Sequence, residues 1–326
     1  MPGDSTVAVR RFEPDDEPAV LELLRASLGW LPDERYVRFF AWKHRENPFG
    51  ASPAWVATDD DRVVGFRTFM RWEFEVDGAT VPAVRAVDTA THPDHQGRGI
   101  FSQLTRHALD GLLAEGVAFV FNTPNQRSAP GYLTMGWQPV ARLPLLARPR
   151  SIGALARVAR ARTPADKWSV QSSAGEAADK VLADQVAVSA LLASLPAGGL
   201  RTRRTPRYLA WRYGFGPLQY RAVTSGASGS GGMVIFRLRR RGAALEAAVC
   251  EELVPGHDAA TTRNLLRRVL RESRADHAVR VAGDAPRAGF LPMPGQGPQL
   301  VWRGVGQSEM PEPASWKLTL GDVELF

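Results

Sequence analysis

Polar and apolar positions along the first third of the chain alternate between two periods. Over residues 6–12, Val7 and Val9 alternate with polar neighbours, the pattern of a half-buried strand. Asp15 and Asp16 follow, suited to a helix start where carboxylates oppose the positive dipole end. Val20, Leu21, Leu23, Leu24 and Leu28 then fall at helical spacing. A second helix is predicted over 34–43, stopping before Asn47-Pro48. Residues 54–57 and 62–76 read as two strands around the turn Asp59-Asp60-Asp61, and 81–91 as another. A long helix over 99–115 has Leu104, Ala108, Leu112 and Leu113 on one face. The apolar run 117–122 reads as a buried parallel strand.

Residues 147–180 change character. Arg148, Arg150, Arg157, Arg160 and Arg162 surround small apolar residues, and Pro149 and Pro164 punctuate the run. This predicts a connector with one basic helix, whose mostly alanine face is poor for a membrane surface. From residue 166 the order of elements restarts. The pattern predicts a strand at 168–171, a helix at 177–195 and another from Tyr208. Strands follow at 234–237 and 245–251, a helix at 260–272, and strands at 277–282, 300–302 and 316–320. Tyr208-Leu209-Ala210-Trp211-Arg212-Tyr213 echoes Phe39-Phe40-Ala41-Trp42-Lys43-His44, and each is followed by a proline, Pro217 or Pro48. At such low identity chance similarity competes, but the half-length repeat suggests a duplicated fold. The expected division is 1–147, a connector 148–165, and 166–326.

Composition narrows the function classes. A chain of 326 residues fits two domains of about 150. A single cysteine, Cys250, allows no internal disulfide framework. It reads as inert core in the apolar run Ala247-Ala248-Val249. No run of about 18 apolar residues suggests a membrane span, and no secretory leader is read. A cytoplasmic, reducing location is expected. The net charge of +7 is uneven: residues 1–147 hold 15 basic and 19 acidic side chains, so the remainder carries +11. Only four of the 41 basic residues are lysine, which with abundant Ala, Gly and Pro points to a GC-rich, bacterial coding bias. Arg237, Arg239, Arg240 and Arg241 lack interleaved aromatics, so they read as a solvated face and nucleic acid is not the expected partner.

The chemistry concentrates in 87–137. A strand runs into Thr91-His92-Pro93-Asp94-His95-Gln96-Gly97-Arg98-Gly99-Ile100-Phe101, and a helix begins. Two glycines at a helix N-terminus can present successive N–H groups to a phosphate. A dinucleotide fingerprint needs a third glycine where Ser102 stands, and a P-loop needs a lysine. Past the next strand come Asn122, Asn125, Ser128, Gly131, Tyr132 and Gly136-Trp137. His92 and His95 flank Asp94, too few ligands for a metal site, and no Gly-x-Ser-x-Gly elbow exists.

Gln96-Gly97-Arg98-Gly99-Ile100 after this strand resembles the acetyl-CoA pyrophosphate loop of the GNAT superfamily of N-acetyltransferases. Asn125, with Tyr132 seven residues on and Gly136-Trp137 beyond, resembles the family's following helix and Gly-aromatic turn. The likeness covers about 5–147. It implies an α/β (α+β) chain of two tandem GNAT folds, each a mixed, mostly antiparallel twisted sheet flanked by helices. It further implies an acyltransferase using acetyl-CoA and an amine acceptor, without a metal. A backbone N–H near Ala90 or Thr91 would polarise the thioester carbonyl. The amides of Gly97, Arg98, Gly99, Ile100 and Phe101 would hold the pyrophosphate, with Gln96 and Arg98 lining the loop. Phe101 departs from the usual Gly or Ala, so its side chain must turn away. Asn125 would bond the pantetheine, and Tyr132 would protonate the leaving thiolate.

For the base that deprotonates the acceptor, the candidates are Asp88, Glu73 and Glu75, with the carboxylate of Phe326 a more distant one. Asp88 stands in an otherwise uncharged strand end, facing the cleft or paired with Arg85 or Arg67. The second half has Gly289-Phe290 but no Gln-x-x-Gly, and is expected to shape substrate around a single site. A catalytically silent CoA-binding protein and a nucleic-acid-associated protein are the rival readings. Neither the acceptor nor the oligomeric state is legible.

Overall fold

The computed structural model describes residues 7–151, 153–154, 163–226, 229–283 and 286–324. Two sheets organise it. The first contains β1 (Ala8–Arg11), β2 (Ala54–Asp59), β3 (Arg62–Val76), β4 (Ala79–Thr91), β5 (Phe119–Asn122), β6 (Gln138–Arg142) and β15 (Gln299–Gly304). Their order is β1-β2-β3-β4-β5-β15-β6, with β9 (Arg201–Thr202) pairing along β3. The second contains β7 (Leu145–Pro149), β8 (Glu176–Ala177), β10 (Arg221–Ser225), β11 (Gly232–Arg241), β12 (Ala244–Leu253), β13 (His277–Val281) and β14 (Leu291–Pro292). Read from β8, its order is β8-β10-β11-β12-β13-β7-β14.

The two orders match place for place. In each sheet the fourth and fifth strands are parallel, β4 with β5 and β12 with β13. In each, the sixth strand runs antiparallel to both flanks. That sixth strand comes from the other half of the chain: β15 completes the first sheet and β7 the second. The exchange is reciprocal, so each sheet is completed by a strand from the other half.

Helices fill the layers. α1 (Glu17–Leu28) ends where Gly29 turns left-handed, and α2 (Glu34–His44) starts on Asp33, whose side chain accepts from Arg35 N. α3 (Ile100–Ala114) packs Ile100, Leu104, Ala108 and Leu112 against one face of the first sheet. α8 (Ala259–Ser273) covers the second sheet in the same way through Leu265, Leu266 and Val269. Between the sheets lies the largest core, which takes Phe39, Phe66 and Trp72 from the first half and Tyr208, Tyr213 and Ile235 from the second. There α7 (Pro206–Gly214) meets α2. Trp42 and Trp211, the equivalent residues of the echoed hexapeptides, stack at 4.9 Å. Each indole N–H donates to the other's backbone carbonyl at 2.8 Å. The sequence repeat therefore corresponds to a symmetric contact.

Several expected elements differ. Residues 168–171 form no strand; single bonds from Asp166 N to Arg240 O and Val170 N to Leu238 O hold the segment beside β11. The helix expected over 177–195 is two, α5 (Ala178–Leu182) and α6 (Gln185–Ala193), because Asp184 breaks off to cap Ala187 N. The expected strand at 316–320 is one bridge, Leu200 to Trp316, before α9 (Leu320–Val323). Most of the expected connector helix, and Phe326, lie outside the described residues. Among the described residues no helix is long and apolar enough to cross a membrane.

The arginine run is not a solvated face. Only Arg240 is exposed. Arg237 is fully buried and bonds Glu324 at 3.0 Å, and Arg239 and Arg241 bond Glu246 at 2.6 and 2.9 Å. Tyr220 donates to the same Glu324 at 2.8 Å, and Cys250 Sγ lies 3.2 Å away, its thiol pushed up by burial and by that carboxylate. Burial raises the Glu324 carboxyl, but Arg237, Arg239 and Arg212 outweigh it and hold it at about 2. A depressed carboxyl stabilises the fold above its ordinary range and loses that contribution as pH falls toward 2. Glu324→Gln should cost about 3 kcal/mol at pH 7 in denaturant unfolding. The gap to wild type should close progressively below about pH 4.5. Equal destabilisation at pH 7 and pH 3 would contradict this linkage.

Candidate functional site

A cleft of about 840 Å³ opens on the first sheet between β4 and β5. The two strands pair only over Ala83–Phe119, Val84–Val120 and Arg85–Phe121, and then part. Beyond that point β4 runs on to Thr91 while the other chain leaves through Asn122, Thr123 and Pro124 into α4 (Ala129–Thr134). Arg85 sits at the fork. It donates to the carbonyls of Asp322 and Val323 and, at 2.9 Å, to Thr123 Oγ1. The chain's last helix is thus tied to the point where the strands separate.

One wall is a bulged strand. Thr68 faces Val87 while Phe66 faces Ala90, so β4 carries an extra residue. Asp88 takes it up at φ +43, a left-handed conformation that Asp tolerates better than most residues. Its carboxylate is anchored from α2: Lys43 Nζ donates to Oδ2, and His44 Nε2 lies 2.9 Å from the same atom. A carboxylate only accepts, so His44 Nε2 carries the proton. Burial keeps this histidine below its ordinary value and hence neutral, so Nδ1 accepts from Ser52 Oγ at 3.0 Å. Lys43 is buried and lies 4.3 Å above the Phe39 ring; its burial lowers it, with Asp88 opposing. Burial raises Asp88, but Lys43 and His44 together hold it well below the carboxylate range.

These contacts correct three expectations. The partners of Asp88 are Lys43 and His44, not Arg85 or Arg67. A carboxylate held that low is a weak proton acceptor at neutral pH, which argues against Asp88 as the base. Glu73 and Glu75 are bonded to Arg203 at 2.7 Å and Arg201 at 2.8 Å, and neither lines the cleft.

The far end of the cleft is the loop before α3. Gly97 and Gly99 both take φ +76, which a side chain would strain. The first helical bond is Gln103 N to Gly99 O, so the N–H groups of residues 97–101 have no acceptor among the described residues. Phe101 turns along α3 to α4, its ring edge-on to Tyr132 at 5.5 Å. Arg98 turns outward to Asp59 at 3.2 Å, so its side chain does not line the cleft. His95 bonds the same carboxylate at 3.0 Å, and His92 lies against Arg62 at 2.8 Å. Gln96 Nε2 reaches Thr91 O at 3.4 Å, and Ser27 Oγ donates to that carbonyl at 2.9 Å.

The opposite wall belongs to α4. Asn125 Oδ1 accepts from Arg127 N and Ser128 N, both at 3.0 Å, which fixes the turn into the helix and leaves only Nδ2 to donate. Tyr132 is buried, and its hydroxyl accepts from Arg67 Nη1 at 2.8 Å. Asp88, Ala90, Thr91, Gln96, Gly97, Gly99, Ile100, Phe101, Asn125 and Tyr132 all line the one cleft. Arg67, Lys43, His44 and Ser27 were not singled out from sequence as site residues. Their contribution comes from contacts that no local spacing encodes.

Residues 8–140 match the family described as acetyltransferase (GNAT) domain. No curated protein matches the sequence. Among solved structures, a probable N-acyltransferase from Enterococcus faecalis V583 is similar at TM-score 0.64 and 12% identity, over 92% of this chain and 73% of that one. A GCN5-related N-acetyltransferase from Kribbella flavida is similar at 0.61 and 18%, over 92% and 71%. Eis1 from Mycobacterium abscessus is similar at 0.58 and 16%, over 92% and 74%. At these identities the likeness is one of fold, and it spans both sheets.

Asp88→Asn should cost about 3–5 kcal/mol in denaturant unfolding, because it leaves Lys43 buried without its counter-ion. Adding Lys43→Met should recover part of that loss. A double variant less stable than Asp88→Asn would contradict the pairing.

Proposed function

With residues 8–140 belonging to the GNAT superfamily of acetyltransferases, we propose that this chain transfers an acetyl group from acetyl-CoA to a primary amine by direct attack. The carrying observation is the fork itself. One cleft joins a row of free N–H groups at residues 97–101 to a buried tyrosine, across strands that have stopped pairing.

In this reading the pyrophosphate lies on the N–H groups of Gly97, Arg98, Gly99, Ile100 and Phe101, at the positive end of α3. A 15-residue helix supplies that dipole, and the two left-handed glycines turn the loop amides toward the ligand. Pantetheine runs between β4 and the turn before α4, where Asn125 donates from Nδ2. The thioester carbonyl takes a hydrogen bond from a backbone N–H near Ala90 or Thr91 on the unpaired edge of β4. That donor gains strength as the oxygen becomes an oxyanion.

The amine nitrogen attacks the carbonyl carbon, and a C–N bond forms. Collapse of the tetrahedral intermediate breaks the C–S bond, and the electron pair leaves on sulfur. Tyr132 gives that sulfur its proton; phenol and thiol are close enough in acidity for the transfer to be mild. The acceptor arrives as a cation, and the first half of the chain carries net −4. Asp88 orients the ammonium at the cleft, while its proton passes to water, because Lys43 and His44 keep the carboxylate too acidic to hold it. The second half supplies β15 to the first sheet and the carbonyls that seat Arg85. Its role is to hold the fork and to bound the acceptor.

Tyr132→Phe should lower kcat for thiol release from acetyl-CoA by about 100-fold, tested with the best acceptor from an amine panel. Affinity for CoA by titration should stay within about threefold, since the phenol meets only the leaving sulfur. Thiol release that is absent in wild type across the panel, or undiminished in Tyr132→Phe, would reject the reading.

A further inference from the structure

Arg67 lies against Tyr132 behind the cleft, and the mechanism above leaves it unused. It sits in the middle of β3 and is fully buried. Nη1 donates to Tyr132 Oη at 2.8 Å and also to Thr89 Oγ1. The guanidinium stacks 4.4 Å from the Phe69 ring, 5.2 Å from Tyr132 and 5.3 Å from Phe101. Nε and Nη2 are buried with no hydrogen-bond partner among the described residues. No carboxylate lies within ion-pair distance of it among the described residues. Two other buried arginines have one: Arg237 has Glu324, and Arg280 has Glu252 at 2.6 Å. A buried cation without a counter-ion is costly, so its place beneath a cleft calls for a use.

We infer that Arg67 is the positioning residue for the leaving-group proton: it directs the Tyr132 hydroxyl into the cleft and compensates the charge left on that oxygen when the proton departs. The inference rests on the reading of Tyr132 as the acid. Its first half follows from donor and acceptor identity. A guanidinium has no lone pair, so the Tyr132 O–H cannot point back at Arg67. With one lone pair held by Nη1, the hydroxyl proton turns toward the cleft that Tyr132 lines.

The second half follows from charge. Before transfer the guanidinium faces a neutral phenol. As the C–S bond breaks and sulfur takes the proton, the phenol oxygen becomes an anion 2.8 Å from a buried cation, and an ordinary hydrogen bond becomes a charge-assisted one. An interaction that strengthens along the reaction raises kcat more than it changes ground-state binding. The phenolate then regains its proton from water, which balances the cycle. Thr89 adds a geometric link. It follows Asp88 in the bulge of β4, so one guanidinium nitrogen joins the acid on α4 to the strand that polarises the carbonyl.

The test uses the full chain with acetyl-CoA and with the acetyl thioester of an acidic thiophenol, both against the same amine. A more acidic thiol leaves with less need of a proton. Arg67→Met should lower kcat with acetyl-CoA by about 30–100-fold, with donor KM within about threefold. Arg67→Lys, which keeps charge and one donor, should recover at least about tenfold of that. With the thiophenol ester the deficit of either variant relative to wild type should shrink to about threefold, as should that of Tyr132→Phe. Added to Tyr132→Phe, Arg67→Met should cost less than about twofold more. Arg67→Lys serves as the probe should the methionine variant fail to fold. A deficit of equal size with both donors, or one that multiplies with that of Tyr132→Phe, overturns the inference while leaving the acid role standing. Full activity in Tyr132→Phe overturns both.

Discussion

The parting of β4 from β5 is the constraint on which the rest of the site depends. Two parallel strands that keep pairing leave no room for a ligand between them. Here only three residue pairs form before the strands diverge, and each side of the fork is held open by a different device. On β4 an extra residue at Asp88 turns the edge, and an ion pair from α2 locks it. On the other side Asn125 starts α4 by capping its own turn. At the base, Arg85 spans the gap and binds the carbonyls of the last helix. Lys43 with Asp88, and Arg85, hold backbone that a strand ladder cannot hold, while the buried Arg67 holds the side chains of Thr89 and Tyr132.

The fork explains why the second half cannot be read as an appendage. β15 lies directly beside β5, and β7 occupies the equivalent place in the other sheet. The stacked pair Trp42 and Trp211 lies between the sheets with reciprocal hydrogen bonds, which is what two copies of one packing solution produce when they face each other. The second sheet keeps the strand order and the parallel pair. Its counterpart of the glycine loop is Val254-Pro255-Gly256-His257, without the two-glycine spacing. Many basic residues of this half pair with its own Glu246, Glu251, Glu252 and Glu324, which leaves the net excess of +11 unchanged.

What was legible in the sequence was local. Gly97 and Gly99 announce a left-handed turn before a helix, and Asn125 announces a turn stabilised by its own side chain, because those demands fall on the residues themselves. The strands and helices that the periodicity predicts up to residue 122 fall where it puts them, within a few residues, whereas β6 and β7 were not read. What was illegible depends on distant partners. Arg237 looks like one of a solvent-facing run until Glu324, 87 residues on, closes on it. Asp88 looks like an unpaired base until α2 brings Lys43 and His44 against it. The exchange of β7 and β15 leaves no trace, since an apolar strand does not record which neighbour it pairs with. A helix predicted across 177–195 ignored the competing use of Asp184 as a cap. Arg67 was visible only as a possible partner for Asp88, and its actual partner, Tyr132, lies 65 residues away.

The central claim is that the fork holds acetyl-CoA with its thioester at Tyr132. The most direct measurement is a crystal structure of the chain with CoA. The account predicts the pyrophosphate on the N–H groups of residues 97–101, pantetheine beside Asn125, and the sulfur within hydrogen-bond reach of Tyr132 Oη with the hydroxyl still held by Arg67. CoA bound outside the gap between β4 and β5, or bound within it with its sulfur remote from Tyr132, would contradict it.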